Sequence, residues 1–237
     1  MERDTLKLVA VSAGLSKPSS TRMLADRLTE ATHSAVPEGR SVDVRVVELR
    51  DLAVDIANNL VTGFPAAPLR EALDAVTGAD ALIVVTPVFA GSYSGLFKSF
   101  FDLVEPDALG GTPVLLAATG GTARHSLVLD HALRPLFAYL HALTLPTGVF
   151  AATDDWGSGA DTHAGGLPAR IERAGRELAG LLAGSLAGRS AGPSAGPITE
   201  QPAGQAAGSP GNTPGPFTPE ADADEVVPFE QLLARLA

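Results

Sequence analysis

Short apolar runs alternate along the chain with longer segments in which apolar residues recur every three or four positions. The short runs predict β-strands, and the periodic segments predict helices that bury one face. We predict strands over residues 6–11, 41–47, 81–85, 113–118 and 143–151. We predict helices over residues 21–35, 69–78, 94–104, 127–140 and 168–186. Because strands and helices alternate, the expected fold class is α/β with a parallel sheet.

The same pattern predicts where each strand lies in the sheet. Residues 81–85 and 113–118 are apolar at almost every position, which is typical of central parallel strands covered on both faces. Residues 41–47 alternate between polar and apolar, and Pro146 interrupts the last strand, so both strands are expected at sheet edges. These positions predict a doubly wound five-stranded parallel sheet of order 2-1-3-4-5, in which ligands bind beyond the carboxyl ends of strands 1 and 3.

Three shorter stretches do not follow the regular pattern of strands and helices. Residues 49–68 show no clear period and are predicted to form a long irregular connection, which is often a binding loop or a partner surface. Pro135 is expected to kink or divide the fourth helix. Asp154, Asp155 and Trp156 follow the last strand, and we expect them to cap and anchor the loop there.

The composition changes after residue 187. Residues 188–221 are rich in Gly, Pro, Ala and Ser and have no hydrophobic period, which predicts a disordered linker. Residues 222–237 carry apolar side chains at helical spacing and predict a short amphipathic helix, which must dock onto this subunit or a neighbour to be stable. We therefore expect one α/β domain over residues 1–187, followed by the linker and this helix.

Composition and charge narrow the class of ligand. The formal net charge of the 237-residue chain is -10, which argues against a nucleic-acid surface. The chain has no cysteine, so it has no disulfides, thiolate nucleophiles or Cys-bound metals. No signal peptide is expected at the charged N-terminus, and no apolar run reaches the ~18 residues that a membrane span needs. We expect a cytoplasmic protein that acts on small molecules, not on nucleic acid or membranes.

The turn after the first strand is rich in hydroxyl groups. Its sequence is Ser12-Ala13-Gly14-Leu15-Ser16-Lys17-Pro18-Ser19-Ser20-Thr21. Because a helix N-terminus presents unpaired backbone N–H groups and a partial positive charge, this turn suits a phosphate monoester. The candidate ligands are Ser12, Ser19, Ser20 and Thr21; alternatively, one of the last three only caps the helix. The turn lacks both the Gly-Lys-Ser/Thr of a Walker loop and the three glycines of a dinucleotide fingerprint.

Two further strands end in loops that expose backbone. The candidates in the second loop are Pro87, Val88, Phe89, Ala90, Gly91 and Ser92. The candidates in the third loop are Thr119, Gly120 and Gly121. Glycine lets a flat ring approach the backbone closely, and Phe89 is placed to lie beside such a ring. The alternatives are a stiff connection whose Phe89 fills the core, and a plain tight turn at the two glycines.

The three loops together resemble those of the NAD(P)H-dependent FMN reductase family, of flavodoxin-like fold. The resemblance covers about residues 5–185 and is greatest to the actinobacterial branch with an extended C-terminus. The matching residues are Pro87, Phe89, Gly91-Ser92, Lys98 and Thr119-Gly120-Gly121. The first loop lacks the arginine that many relatives have, and Lys17 or Arg22 is the candidate to balance the phosphate charge.

The resemblance implies noncovalently bound FMN, with its phosphate in the first loop and its ring between the second and third. A reduced nicotinamide from NADPH or NADH would pass a hydride to flavin N5, and reduced FMN would leave or reduce a second substrate. No catalytic side chain and no metal are expected, because the cofactors supply the chemistry. The resemblance also implies a homodimer or homotetramer, and a flavin-dependent monooxygenase is a candidate partner.

Two alternatives are left open by the sequence. One is a quinone, azo or metal-ion reductase on the same scaffold, because the choice of acceptor lies in the open face of the flavin. The other is a flavodoxin-type electron carrier, which the acidic composition suits. The loops lack the paired stacking aromatics that such carriers favour, which makes the reductase the preferred hypothesis.

Overall fold

A mostly parallel β-sheet with helices on both faces forms the core of the computed structural model, which describes residues 5–156 and 166–190. The strands in this part of the chain are β1 (Thr5–Ser12), β2 (Ser41–Glu48), β3 (Ala81–Phe89), β4 (Ser92–Tyr93), β5 (Pro113–Gly120), β6 (Leu143–Thr144) and β7 (Val149–Ala152). The helices are α1 (Ser20–Ala35), α2 (Ala53–Thr62), α3 (Ala67–Thr77), α4 (Gly95–Phe101), α5 (Arg134–Tyr139) and α6 (Gly166–Ser190).

The sheet order is β2-β1-β3-β5, and both β6 and β7 pair with the far side of β5. All of these pairs are parallel, and β4 adds a short antiparallel hairpin to β3. The flavodoxin-like arrangement, the α/β class and the edge position of β2 are therefore confirmed. The prediction of exactly five strands is wrong, because the described residues form seven.

The predicted fifth strand is divided at its proline. Pro146 has no N–H to donate to a sheet ladder, and residues 145–148 separate β6 from β7. The guanidinium of Arg134 fills part of this gap, since its Nη1 donates to the carbonyl of Leu145 at 2.9 Å. Its Nη2 donates to the carbonyl of Pro146 at 3.2 Å. A side chain thus replaces ladder hydrogen bonds at this edge.

The prediction of an irregular connection over residues 49–68 is wrong. The segment contains a 3₁₀ turn, Leu49–Leu52, and the helix α2, which ends at Gly63 with a left-handed φ of 75°. Helix α2 buries only Ile56 and Asn59, while Val61 is 88% exposed. The exposed apolar residues conceal the period by which a helix is normally recognised.

The fourth predicted helix is not divided at Pro135, but its winding changes just before this residue. A π-helical segment, Leu129–Leu133, comes first, and α5 follows with Pro135 in its first turn. The backbone N–H of Arg134 donates to the carbonyl of Leu129, so the helix runs on through the change from π- to α-helical winding, and Pro135 lies directly after it.

The expected anchoring of the loop after the last strand is also confirmed. One Asp155 oxygen accepts from the backbone N–H of Ala152 at 2.7 Å, and the other accepts from Arg170 of α6 at 2.6 Å. The Arg27 guanidinium lies 5.0 Å from the Trp156 ring centroid. These contacts fix the end of β7 against α1 and α6.

Helices α1 and α6 approach each other very closely at Gly175. A Cβ placed there would lie 2.7 Å from the carbonyl carbon of Ala31 and 2.9 Å from the backbone nitrogen of Thr32. Glycine is therefore required by the helix crossing, which supports one face of the sheet.

Helix α6 ends at Ser190, and residues 191–237 lie outside the described residues. Most of the predicted linker and all of the C-terminal amphipathic helix fall there, so the domain division stays a prediction. Within residues 5–156 and 166–190, no helix has both the length and the apolar character required to cross a membrane.

Candidate functional site

The three predicted loops meet at the carboxyl edge of the sheet, around a cleft of about 370 Å3. The predicted residues that line it are Ser20, Thr21, Pro87, Val88, Phe89, Thr119, Gly120 and Gly121. Leu15, Ser16 and Thr153 also line it and were not predicted. The cleft lies between the ends of β1, β3 and β5, which is the position that the strand order predicts for a ligand.

The start of α1 forms one wall of the cleft. Ser19 is the N-cap, and its Oγ accepts from the backbone N–H of Arg22 at 3.2 Å, so Ser19 does cap the helix. Ser20 is exposed and lines the cleft. The buried hydroxyls of Thr21 and Thr119 are hydrogen-bonded at 2.8 Å, which joins the first loop to the third. The unpaired N–H groups of the first helical turn lie at this wall.

Ser12 lies beneath the loop at the end of β1. It is 1% exposed, and its Oγ has no hydrogen-bond partner among the described residues. Gly14 follows it at a point where a Cβ would lie 2.0 Å from the Ser19 Oγ. Glycine therefore lets the loop fold back onto the helix cap, and Ser12 retains an unused polar atom near the site.

The second loop is a tight hairpin. Val88 pairs with Tyr93 and Phe89 with Ser92, and the turn between them is formed by Ala90 and Gly91, with φ values of 48° and 81°. Positive φ at both central residues is typical of a type I′ turn. Ala90, Gly91 and Ser92 do not line the cleft; they form and pair the hairpin that presents Phe89 to it. Phe89 is 48% exposed, so the alternative that it fills the core is wrong.

The two glycines of the third loop have different surroundings. A Cβ on Gly120 would lie 2.9 Å from Cζ of Phe150, so this glycine is required by packing against β7. A Cβ on Gly121 would meet nothing within 4 Å. Gly121 therefore borders open space in the cleft. Gly120 is predicted to make room for a bound ring, but its close approach to Phe150 means that packing within the protein also requires a glycine there.

Charged groups surround the first loop. The Asp26 carboxylate accepts from Nε of Arg22 at 2.8 Å, and this hydrogen bond raises the pKa of Arg22. Arg22 also pairs with Glu48, which in turn lies 2.6 Å from Nη2 of Arg50. Of the two candidates for balancing phosphate charge, Arg22 is thus already paired, and Lys17 is exposed with no ion pair among the described residues.

The lysine of the second-loop motif lies elsewhere. Lys98 pairs with Asp102 one turn further along the chain, on the exposed side of α4. The hydrogen bond to Asp102 raises the pKa of Lys98. Lys98 does not line the cleft, and its partner lies on the same exposed surface.

A larger groove of about 740 Å3 runs between α1 and α6. It is lined by the helix residues Asp26, Arg27, Glu30, Ile171 and Glu172, among others. This groove follows the sides of two helices and does not include the strand ends, where backbone N–H groups and loops converge. The smaller cleft is therefore the candidate functional site.

The residues that were not predicted fall into two groups. Leu15 and Ser16 lie within the first loop, between the predicted ligands, and the others follow the outer strands. Thr153 directly follows β7, and Glu48 and Arg50 lie at and just after the end of β2. All the parallel strands end at the same edge of the sheet, so residues that follow the outer strands lie at this edge as well. The position of the outer strands is therefore the sequence signal that indicates these residues.

The fold is that of a flavodoxin-like α/β protein, and the cleft lies at the switch point of its sheet. Residues 6–157 match the sequence model of a family described as NADPH-dependent FMN reductase. The chain belongs to this family.

Several proteins that are similar to this chain are named FMN reductases or oxidoreductases. An NADPH-dependent FMN reductase from Pseudomonas aeruginosa is 48% identical over 150 residues, which cover 63% of this chain and 78% of that enzyme. The NADH-dependent FMN reductase SfnF from Pseudomonas fluorescens is 43% identical over 176 residues, covering 74% and 91%. A solved oxidoreductase from Corynebacterium diphtheriae has 47% identity and a TM-score of 0.72, covering 76% and 98%.

The chain is accordingly an NAD(P)H:FMN oxidoreductase, and its small-molecule ligands are FMN and a reduced nicotinamide. The site fits FMN in two respects, one at the phosphate end and one at the ring. Ser12 offers an unpaired buried hydroxyl oxygen, and Gly121 leaves open space beside the loop. The cleft volume falls within the range of about 300–1,000 Å3 that is typical of small-molecule sites.

Proposed function

We propose that FMN is bound and reduced by NADPH or NADH in the cleft at the carboxyl edge of the sheet. The observation that carries this proposal is the Thr21–Thr119 hydrogen bond, which joins the hydroxyl-rich start of α1 to the glycine loop after β5. A phosphate-binding turn and a ring-binding loop are thereby held side by side. The proposed ligands are the predicted residues that line the cleft, with Ser12 and Ser19 beneath them.

In this proposal the start of α1 binds the phosphate. Backbone N–H groups of the first helical turn and the Ser20 hydroxyl donate to phosphate oxygens, and the helix dipole favours the negative charge. Ser19 contributes by capping, because its Oγ is already engaged by the N–H of Arg22.

The second and third loops orient the flavin ring. Val88 and Phe89 supply apolar contacts from one side, and Gly121 leaves room on the other. When bound, the flavin and nicotinamide supply the hydride chemistry themselves. The chain contributes orientation and close stacking, which is the main requirement for hydride transfer. No side chain is proposed as an acid or base.

The exposure of the cleft bears on where reduced FMN goes after the reaction. Leu15 and Phe89 at the cleft are about half exposed, which suits a site that exchanges its flavin with solvent. We therefore infer that reduced FMN leaves for a second protein, such as a flavin-dependent monooxygenase. A homodimer or homotetramer and a cytoplasmic location stay predictions, and sedimentation tests the first.

NADPH oxidation with and without added FMN tests the proposed activity. We expect the rate to rise with FMN until it saturates, because exchanging flavin acts as a substrate. An electron carrier that holds FMN permanently would oxidise almost no NADPH under either condition. A second series with NADH measures the coenzyme preference.

We expect Ser20→Ala to weaken FMN binding by about 5- to 30-fold, or ~1–2 kcal/mol, because one hydrogen bond to a charged phosphate is lost. Fluorescence titration of FMN measures the dissociation constant. Ser34→Ala provides the matched control, since Ser34 is exposed near the other end of α1. Ser19→Ala would not serve, because it also removes the helix cap. An unchanged dissociation constant in Ser20→Ala would remove this hydroxyl from the proposed site.

A further inference from the structure

We propose that Arg50, held in place by Glu48, is a positioning residue that shapes the first loop for a phosphate group and so makes the chain select FMN over riboflavin. This inference rests on the proposed function of the cleft. Riboflavin has the same ring as FMN and lacks the phosphate, so the two flavins separate a phosphate effect from a ring effect.

Arg50 lies in the 3₁₀ turn Leu49–Leu52, directly after the edge strand β2. Its Nη1 donates to the backbone carbonyl of Ser16 at 2.8 Å. Its Nη2 lies 2.6 Å from a carboxylate oxygen of Glu48. The Arg50 side chain is only 18% exposed, so its position is fixed by packing as well as by these bonds.

The bond from Arg50 matters because the loop has few others. Within the described part of the chain, it is the one hydrogen bond that reaches residues 14–18. Ser16 lines the cleft directly, beside Ser20 at the start of α1. The course of the loop at the proposed phosphate end therefore depends on the Arg50 guanidinium.

Glu48 connects the two sides of this loop. Its carboxylate pairs with Arg50 through one oxygen and with Arg22, in the first turn of α1, through the other. Glu48 is also the register partner of Ser12 across β1 and β2. One carboxylate thus ties the middle of the loop and the start of the helix to the end of the sheet.

The charges indicate positioning, not direct contact with the ligand. Arg22 is also paired with Asp26, and Arg50 lies 3.5 Å from Asp51, so three carboxylates surround two guanidinium groups. The cluster has no spare positive charge to offer a phosphate. Neither guanidinium of this cluster is therefore proposed as a phosphate ligand; backbone N–H groups and hydroxyls bind the anion, and Arg50 acts by holding the carbonyl of Ser16 away from them.

Fluorescence titrations with FMN and with riboflavin test this inference. For Arg50→Met, we expect the dissociation constant for FMN to rise about 10-fold or more, because the loop loses its tether. The constant for riboflavin should stay within about twofold of wild type, since the ring contacts come from other loops. Arg45→Met is the matched control, because Arg45 is half exposed on β2, the strand that precedes Arg50, and lies 3.9 Å from Glu71. It should change neither constant.

Equal weakening of both flavins in Arg50→Met, or no change in either, would overturn the positioning role. If Arg50→Met does not fold, Glu48→Gln takes its place, because it weakens the same connection while keeping the shape of the side chain. The same preferential loss of FMN is expected there, and equal or absent effects overturn the role again. Wild-type protein that binds neither flavin would overturn the proposed function itself, which is a distinct result.

Discussion

Gly121→Val should abolish most FMN binding while leaving the protein folded. We expect the dissociation constant to rise about 30-fold or more, or ~2 kcal/mol, because the branched side chain fills space that the ring needs. Gly121 is exposed, and a Cβ there meets nothing within 4 Å, so the protein itself accommodates the valine. Its φ is not left-handed, so the backbone also permits the change.

The neighbouring glycine does not allow this experiment. A Cβ on Gly120 would lie 2.9 Å from Phe150, so Gly120→Val would disturb the packing of β7 and mix a stability effect with a binding effect. Gly180→Val is a suitable control, because Gly180 is exposed on α6 with open space around it. Gly121→Val that melts like wild type and still binds FMN normally would place the flavin ring elsewhere.

The second large effect concerns stability. We expect Gly175→Ala to lower the free energy of unfolding by about 2–3 kcal/mol, because its methyl group collides with the backbone of α1 at Ala31 and Thr32. Backbone atoms cannot move aside as a flexible side chain can, so the two helices must separate. In a domain of this size the melting temperature should fall by roughly 5–10 °C, measurable by calorimetry.

Gly180→Ala on the same helix should have the opposite sign. Because Gly180 has open space and alanine is the better helix former, we expect a gain of about 0.5–1 kcal/mol. Comparing the two variants separates the effect of helix propensity on the free energy of unfolding from the effect of the close crossing of α1 and α6. A Gly175→Ala protein as stable as wild type would mean that the helices are not in backbone contact at this residue.

The strand order and the position of the cleft could be predicted because they depend on local pattern. The continuous apolar run of β3 indicates a strand covered on both faces, and the alternation of β2 indicates an edge. The order then follows, and with it the edge at which the loops meet. Helix α2 could not be predicted in this way, because Val54 and Val61 are exposed apolar residues that interrupt its helical period.

The roles of particular residues depended on distant contacts and could not be predicted. Gly120 and Gly121 are equivalent in sequence, and the close approach of the Phe150 ring, 30 positions further along, distinguishes them. Arg50 acts through a backbone carbonyl that lies 34 positions earlier. Every residue has a backbone carbonyl, so the sequence does not show which one accepts a side-chain hydrogen bond. Neither Arg50 nor Ser16 therefore indicates the other.

The most direct test of the proposed flavin site is the electron density of the protein crystallised with FMN. We expect the phosphate at the start of α1, beside Ser16 and Ser20, and the ring beside Phe89 and Gly121. Density for the flavin in the larger groove between α1 and α6 would contradict the proposal. So would an empty cleft in crystals whose protein still oxidises NADPH when FMN is added.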